Sequence, residues 1–103
     1  MTEEVFPDIH RIEIPLPRNP LKAINSYVIR GRDRSLIIDT GMNRPECLDV
    51  MRQSLKGLCV DLGRTDIFVT HGHSDHIGLV SALKTAGTRV FVNPIEAIHV
   101  LDS

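Results

Sequence analysis

Between Asp66 and Thr70 the chain reads Asp-Ile-Phe-Val-Thr, a continuous apolar run of strand length, and it passes at once into His71-Gly72-His73-Ser74-Asp75-His76. An apolar run without alternation is the pattern of a strand buried on both faces, as in parallel sheets sheltered by helices. The residues that follow agree. Ile77, Val80 and Leu83 recur at helical spacing and predict a helix over 75–86 with Gly87 as its terminator, and 89–92 reads as another strand. A strand–helix–strand unit of this kind packs its helix against a sheet with parallel members, so the expected class is α/β.

The first half reads differently. From Ile9 to Leu16 the apolar residues Ile12, Ile14 and Leu16 alternate with Arg11, Glu13 and Pro15, the pattern of a strand with one wet face. Ser26–Arg30 and Ser35–Asp39 are two β-rich runs joined by Gly31-Arg32-Asp33-Arg34, which predicts a hairpin. Asn43-Arg44-Pro45-Glu46 predicts a helix start with an Asn cap and a Glu three residues on, and Leu48, Met51, Leu55 and Leu58 continue it to a stop at Gly57. Asn93-Pro94-Ile95-Glu96 repeats the cap signature and opens a last helix running to the end. The expected order is strand, hairpin, helix, strand, helix, strand, helix.

Composition narrows the function classes. The 103 residues are 42% hydrophobic and 24% charged with a net charge of −1, which excludes a disordered tail and an electrostatic nucleic-acid binder. No apolar stretch approaches the ~18 residues of a membrane span, and the acidic N-terminus lacks a signal peptide, so the expected location is cytoplasmic. With no Trp, three Phe and one Tyr, the core has to be aliphatic. Cys47 and Cys59 read as free structural thiols, Cys47 on the apolar side of its helix. No repeat or linker divides the chain, so residues 1–103 are expected to form a single domain.

The chemistry concentrates in 71–76. His71 and His73 are two apart, so an extended segment points both side chains to one side, and Asp75 and His76 come where the chain bends into a helix. Imidazoles and a carboxylate are ligands for zinc or a similar divalent ion, and clustered imidazoles have little structural use without one. The location, at the C-terminal end of a buried strand, is where open α/β sheets place their sites.

His71-x-His73-x-Asp75-His76, preceded by Thr70 and followed by Gly78, resembles the metal-binding signature of the metallo-β-lactamase superfamily. Asn25-Ser26-Tyr27-Val28-Ile29 and Leu36-Ile37-Ile38-Asp39-Thr40-Gly41 resemble that fold's opening hairpin and its Asp-Thr-Gly turn. The resemblance implies an αββα sandwich, of which this chain carries the N-terminal half as an incomplete domain. It also implies one or two divalent metals, zinc first, with iron or manganese as alternatives. His71 and His73 would bind the first and Asp75 and His76 the second. Asp39, in its turn with Thr40 and Gly41, would steady the metal loop through hydrogen bonds. The competing reading of those three residues is simple turn geometry. His73 departs from the flavodiiron pattern, whereas His76 after Asp75 is similar to the glyoxalase II-like hydrolases. Gly78-Leu79 stands where many relatives carry two glycines. The family's later ligands have no counterpart here: His99, on the expected last helix, and His10 read as packing or surface residues.

The function expected from this is a metal-dependent hydrolase. A metal-bound hydroxide, formed because the ion lowers the pKa of its water to about 7, would attack an ester, thioester, lactone or phosphoester. Asp75 would be catalytic, orienting the nucleophile and handling its proton. A thioester is the favoured substrate class, making the partner a small molecule, with neither membrane nor nucleic acid involved. The alternative is a catalytically silent metal-binding module that self-associates through exposed sheet surface as a homo-oligomer.

Overall fold

Strand β1 (Thr2–Phe6) pairs antiparallel with β2 (Ile9–Leu16), β2 with β3 (Asn19–Ile29), and β3 with β4 (Ser35–Ile38). Parallel pairing then joins β4 to β5 (Thr65–Val69) and β5 to β6 (Arg89–Val92), so the sheet runs in sequence order from β1 to β6. The computed structural model describes residues 2–16, 19–42, 44–70 and 78–92. The expected helix over 93–103 and the start of the expected helix at Asp75 lie outside them. The mixed sheet matches the expectation of an antiparallel opening and a parallel second half.

Local chemistry explains the boundaries. The N-cap of α1 (Pro45–Gly57) is Arg44 rather than Asn43, with Pro45 in the first turn, where its missing N–H costs nothing. The Arg44 carbonyl accepts from the Cys47 and Leu48 amides at 3.1 and 3.0 Å. At the other end the left-handed residue is Cys59 (φ 58°), not the expected Gly57. Its N–H donates to the Lys56 carbonyl at 3.1 Å, and the Val60 N–H reaches the Leu55 carbonyl at 2.9 Å, a Schellman closure. Cys59 is exposed, contrary to the expected structural burial, whereas Cys47 is fully buried and burial pushes its thiol pKa up.

Helix α2 (Val80–Leu83) is a single turn that stops three residues short of the expected Ala86. Side-chain bonding takes over after Lys84. The Thr88 hydroxyl donates to the Leu62 carbonyl at 2.6 Å, and the Thr85 N–H donates to the Thr88 hydroxyl at 3.0 Å. Ser/Thr hydroxyls compete with helical bonding in this way.

The core is aliphatic, as expected: Ile12, Ile14, Val28, Ile37, Ile67 and Val69 from the sheet meet Cys47, Met51, Leu55, Leu79 and Leu83 from the helical side. Among the described residues these helical elements cover one face only, which corrects the reading of β5 as buried on both faces. Ile67 and Val69 are buried, but Phe68 between them is 39% exposed. Register sets Arg11, Tyr27, Ile38, Phe68 and Phe91 in one row across that second face. No helix among the described residues is long and apolar enough to cross a membrane.

Candidate metal centre

Strands β4 and β5 end side by side, with Ile38 paired to Phe68. One residue further, the Asp39 N–H still donates to the Phe68 carbonyl at 2.9 Å, but its backbone has turned left-handed (φ 63°). Asp tolerates that conformation better than most side-chain-bearing residues. The turn aims the carboxylate across to the end of β5. Oδ1 accepts the Thr70 N–H at 2.8 Å and Oδ2 accepts the Thr70 hydroxyl at 2.6 Å. Asp39 is only 6% exposed, so these are hydrogen bonds to a carboxylate with little access to water.

The next two residues bind the chain again beyond 71–77. Thr40 is fully buried, and its hydroxyl oxygen accepts the Leu79 N–H at 3.3 Å. The Gly41 carbonyl accepts the same N–H at 3.1 Å. Gly41 has φ 131°, and a Cβ there would lie 2.8 Å from Ile14 Cγ2, so glycine is required by conformation and by space. The turn Asp39-Thr40-Gly41 thus holds Thr70 on one side of 71–77 and Leu79 on the other.

His71, His73, Asp75 and His76 themselves lie outside the described residues. Among the described residues no group of three or more His, Cys, Asp or Glu could hold a metal. His10 is buried on the core side of β2, with Nε2 3.7 Å from Glu4 Oε2, which agrees with a packing residue; His99 lies outside the described residues. The fit to a metal therefore rests on donor chemistry, three imidazoles and a carboxylate in six residues, and on a described frame that grips both flanks of that segment.

One residue of this frame escaped the sequence reading. Ser26 is fully buried, and its hydroxyl donates to the Asp39 carbonyl at 2.7 Å. The signal was parity: Ser26 shares a strand face with Val28, so a polar side chain stands at a core position of β3.

Known proteins resemble this chain in sequence and fold. The family model described as the metallo-beta-lactamase superfamily matches residues 19–97. An atrochrysone carboxyl ACP thioesterase from Aspergillus novofumigatus is 36% identical over 85 residues, covering 79% of this chain and 25% of that protein. Another from Emericella nidulans is 33% identical over 97 residues, covering 94% of this chain and 29% of that protein. The chain thus spans between a quarter and a third of the length of these curated relatives. Among solved structures, a metallo-beta-lactamase family protein from Thermus thermophilus is 26% identical with a TM-score of 0.68, over 80% of this chain and 28% of that one. A metallo-beta-lactamase from Cronobacter sakazakii superposes at a TM-score of 0.76 and 18% identity, over 95% of this chain and 36% of the other, a likeness of fold alone.

Proposed function

The chain belongs to the metallo-beta-lactamase superfamily, and from that premise we propose that the complete protein is a metal-dependent hydrolase acting on a thioester. The observation that carries the reading is the turn at Asp39: one buried carboxylate takes both the N–H and the hydroxyl of Thr70, the residue directly before His71. The thioester is supported by relatives that are named atrochrysone carboxyl ACP thioesterases. The glyoxalase II-like character of His76 after Asp75 points to the same substrate class.

In this mechanism His71 and His73 would hold one divalent ion, zinc before iron or manganese, and Asp75 and His76 would hold a second. Bound there, the ion supplies an acidified water and a Lewis acid for the scissile carbonyl. Asp75 would orient the nucleophilic water and take up its proton. The carboxylate of Asp39 fixes Thr70, and Thr40 and Gly41 fix Leu79, so the chain is held on either side of 71–77. Nothing in this scheme needs nucleic acid or membrane.

The test is metal analysis of the complete protein together with an ester, thioester and phosphodiester panel. Zinc at one or two equivalents with thioester turnover abolished by chelation supports the reading. Full turnover after complete metal removal overturns it.

A second reading has its own observation. Phe68 and Phe91 are register neighbours, 39% and 49% exposed, on a sheet face that no described helix covers. That surface favours a silent module pairing with a second copy of itself. Sedimentation decides between them: a metal-loaded, active monomer removes the second reading.

A further inference from the structure

We propose that Ser26 is a positioning residue for the metal-binding segment, an inference that rests on the functional reading above. A fully buried hydroxyl among aliphatic side chains calls for a partner, and Ser26 has one 13 residues along the chain, the Asp39 carbonyl at 2.7 Å. That carbonyl belongs to a left-handed residue, a conformation uncommon for anything but glycine. The hydroxyl therefore fixes the peptide plane that leads from Asp39 into Thr40. On one side of that plane the Asp39 carboxylate holds the N–H and hydroxyl of Thr70. On the other side the Thr40 hydroxyl and the Gly41 carbonyl hold the Leu79 N–H. One buried hydroxyl on β3 thus sets the rotation of a turn that grips 71–77 at both flanks. Ser26 touches neither substrate nor metal in this account; it acts through Asp39 and Thr40.

The experiment uses the full-length protein, with Ser26→Ala and Ser26→Thr. Amide exchange is read in the metal-free state, and zinc affinity by competition with a chelator. In Ser26→Ala, exchange at Thr70 and Leu79 is expected to accelerate about tenfold, the equilibrium effect of one buried hydrogen bond, with Val28 and Ile67 unchanged. Zinc affinity is expected to fall about tenfold, the lower range for residues that support metal ligands. Ser26→Thr keeps the hydroxyl and restores both readouts. Equal acceleration across the whole sheet would reduce Ser26 to a packing residue and overturn the proposal. So would a natively melting Ser26→Thr that behaves like Ser26→Ala. If the wild type takes up none of zinc, iron and manganese, the functional reading fails and this role fails with it. If the wild type binds zinc and Ser26→Ala binds it equally well, the role of Ser26 alone is lost.

Discussion

The two ends of the parallel strands each carry a buried or half-buried aspartate, and their contacts among the described residues differ in kind. At the start of β5, Asp66 is clasped by two guanidiniums: Arg34 Nε and Nη2 at 3.1 and 2.9 Å, and Arg89 Nε and Nη2 at 2.8 and 2.9 Å. The Arg89 hydrogen bond, and after it Arg34, holds the Asp66 carboxyl below the usual carboxylate range. Arg34 also donates to the Gly87 carbonyl at 2.7 Å, so this end is a brace between the approaches to β4, β5 and β6. At the far end, Asp39 accepts from the N–H and hydroxyl of Thr70, neutral donors in a buried setting. Fixed cations saturate a carboxylate and make a brace. Neutral donors fix its geometry, and here they do so directly before the segment that carries His71, His73 and His76.

The largest expected effect breaks the comparison at the Asp39 end only. In the complete protein, His71→Ala or His73→Ala should lower turnover by more than the ~100-fold reached by substitutions that merely support ligands, with the melting midpoint of the metal-free form unchanged. Near-normal turnover in either variant would reduce the Asp39 turn to a brace like that at Asp66.

Asp39→Ala comes next. It leaves the Thr70 N–H without its acceptor, at a cost of about 1–3 kcal/mol in a denaturant melt, and should weaken zinc binding by about 10–100-fold. A stability loss with intact zinc affinity would show that the turn serves the fold alone. Gly41→Ala sharpens the same contrast from the backbone side. With φ 131° and Ile14 Cγ2 at 2.8 Å from the new Cβ, the strain should cost about 1–3 kcal/mol, read as a lower denaturant midpoint.

How much of this was legible depended on whether a residue has a buried side to reveal. β2 announced itself because Ile12 and Ile14 alternate with Arg11 and Glu13, and the sheet buries the isoleucines. β1 did not: every residue from Thr2 to Phe6 is exposed, so an edge strand with no core face leaves no apolar period to read. β5 was found but misjudged, because an uninterrupted Ile-Phe-Val looks the same whether helices cover both faces or one. α2 ended early because Thr85 and Thr88 bond the Leu62 carbonyl across space, a contact 23 and 26 residues away that local propensity does not contain. At the candidate site, the roles of Asp39 and Gly41 were visible as a turn motif. Ser26 was hidden, since its significance lies in a tertiary contact to a backbone carbonyl rather than in a spacing.

The smallest expected effect tests the Asp66 end, through pH. The folded-state pKa of Asp66 is lowered, so the stabilisation it contributes is fully present above its unfolded value, ~3.9, and is lost as pH falls through the lower folded value. Asp66→Asn keeps the size and one acceptor oxygen but removes the charge that both guanidiniums share. At neutral pH this variant should melt slightly below wild type. As pH falls below about 5 the wild type should lose stability more steeply, and the two midpoints should converge once pH is below the lowered folded value of Asp66. Because Arg89 is 60% exposed in this pair, high salt should shrink the neutral-pH difference as well. None of this should alter zinc affinity, since the brace sits at the opposite end of β5 from Thr70. A variant at Asp66 that weakens zinc binding as strongly as Asp39→Ala would mean that the two ends are mechanically coupled through β5, and that the distinction between brace and site does not hold.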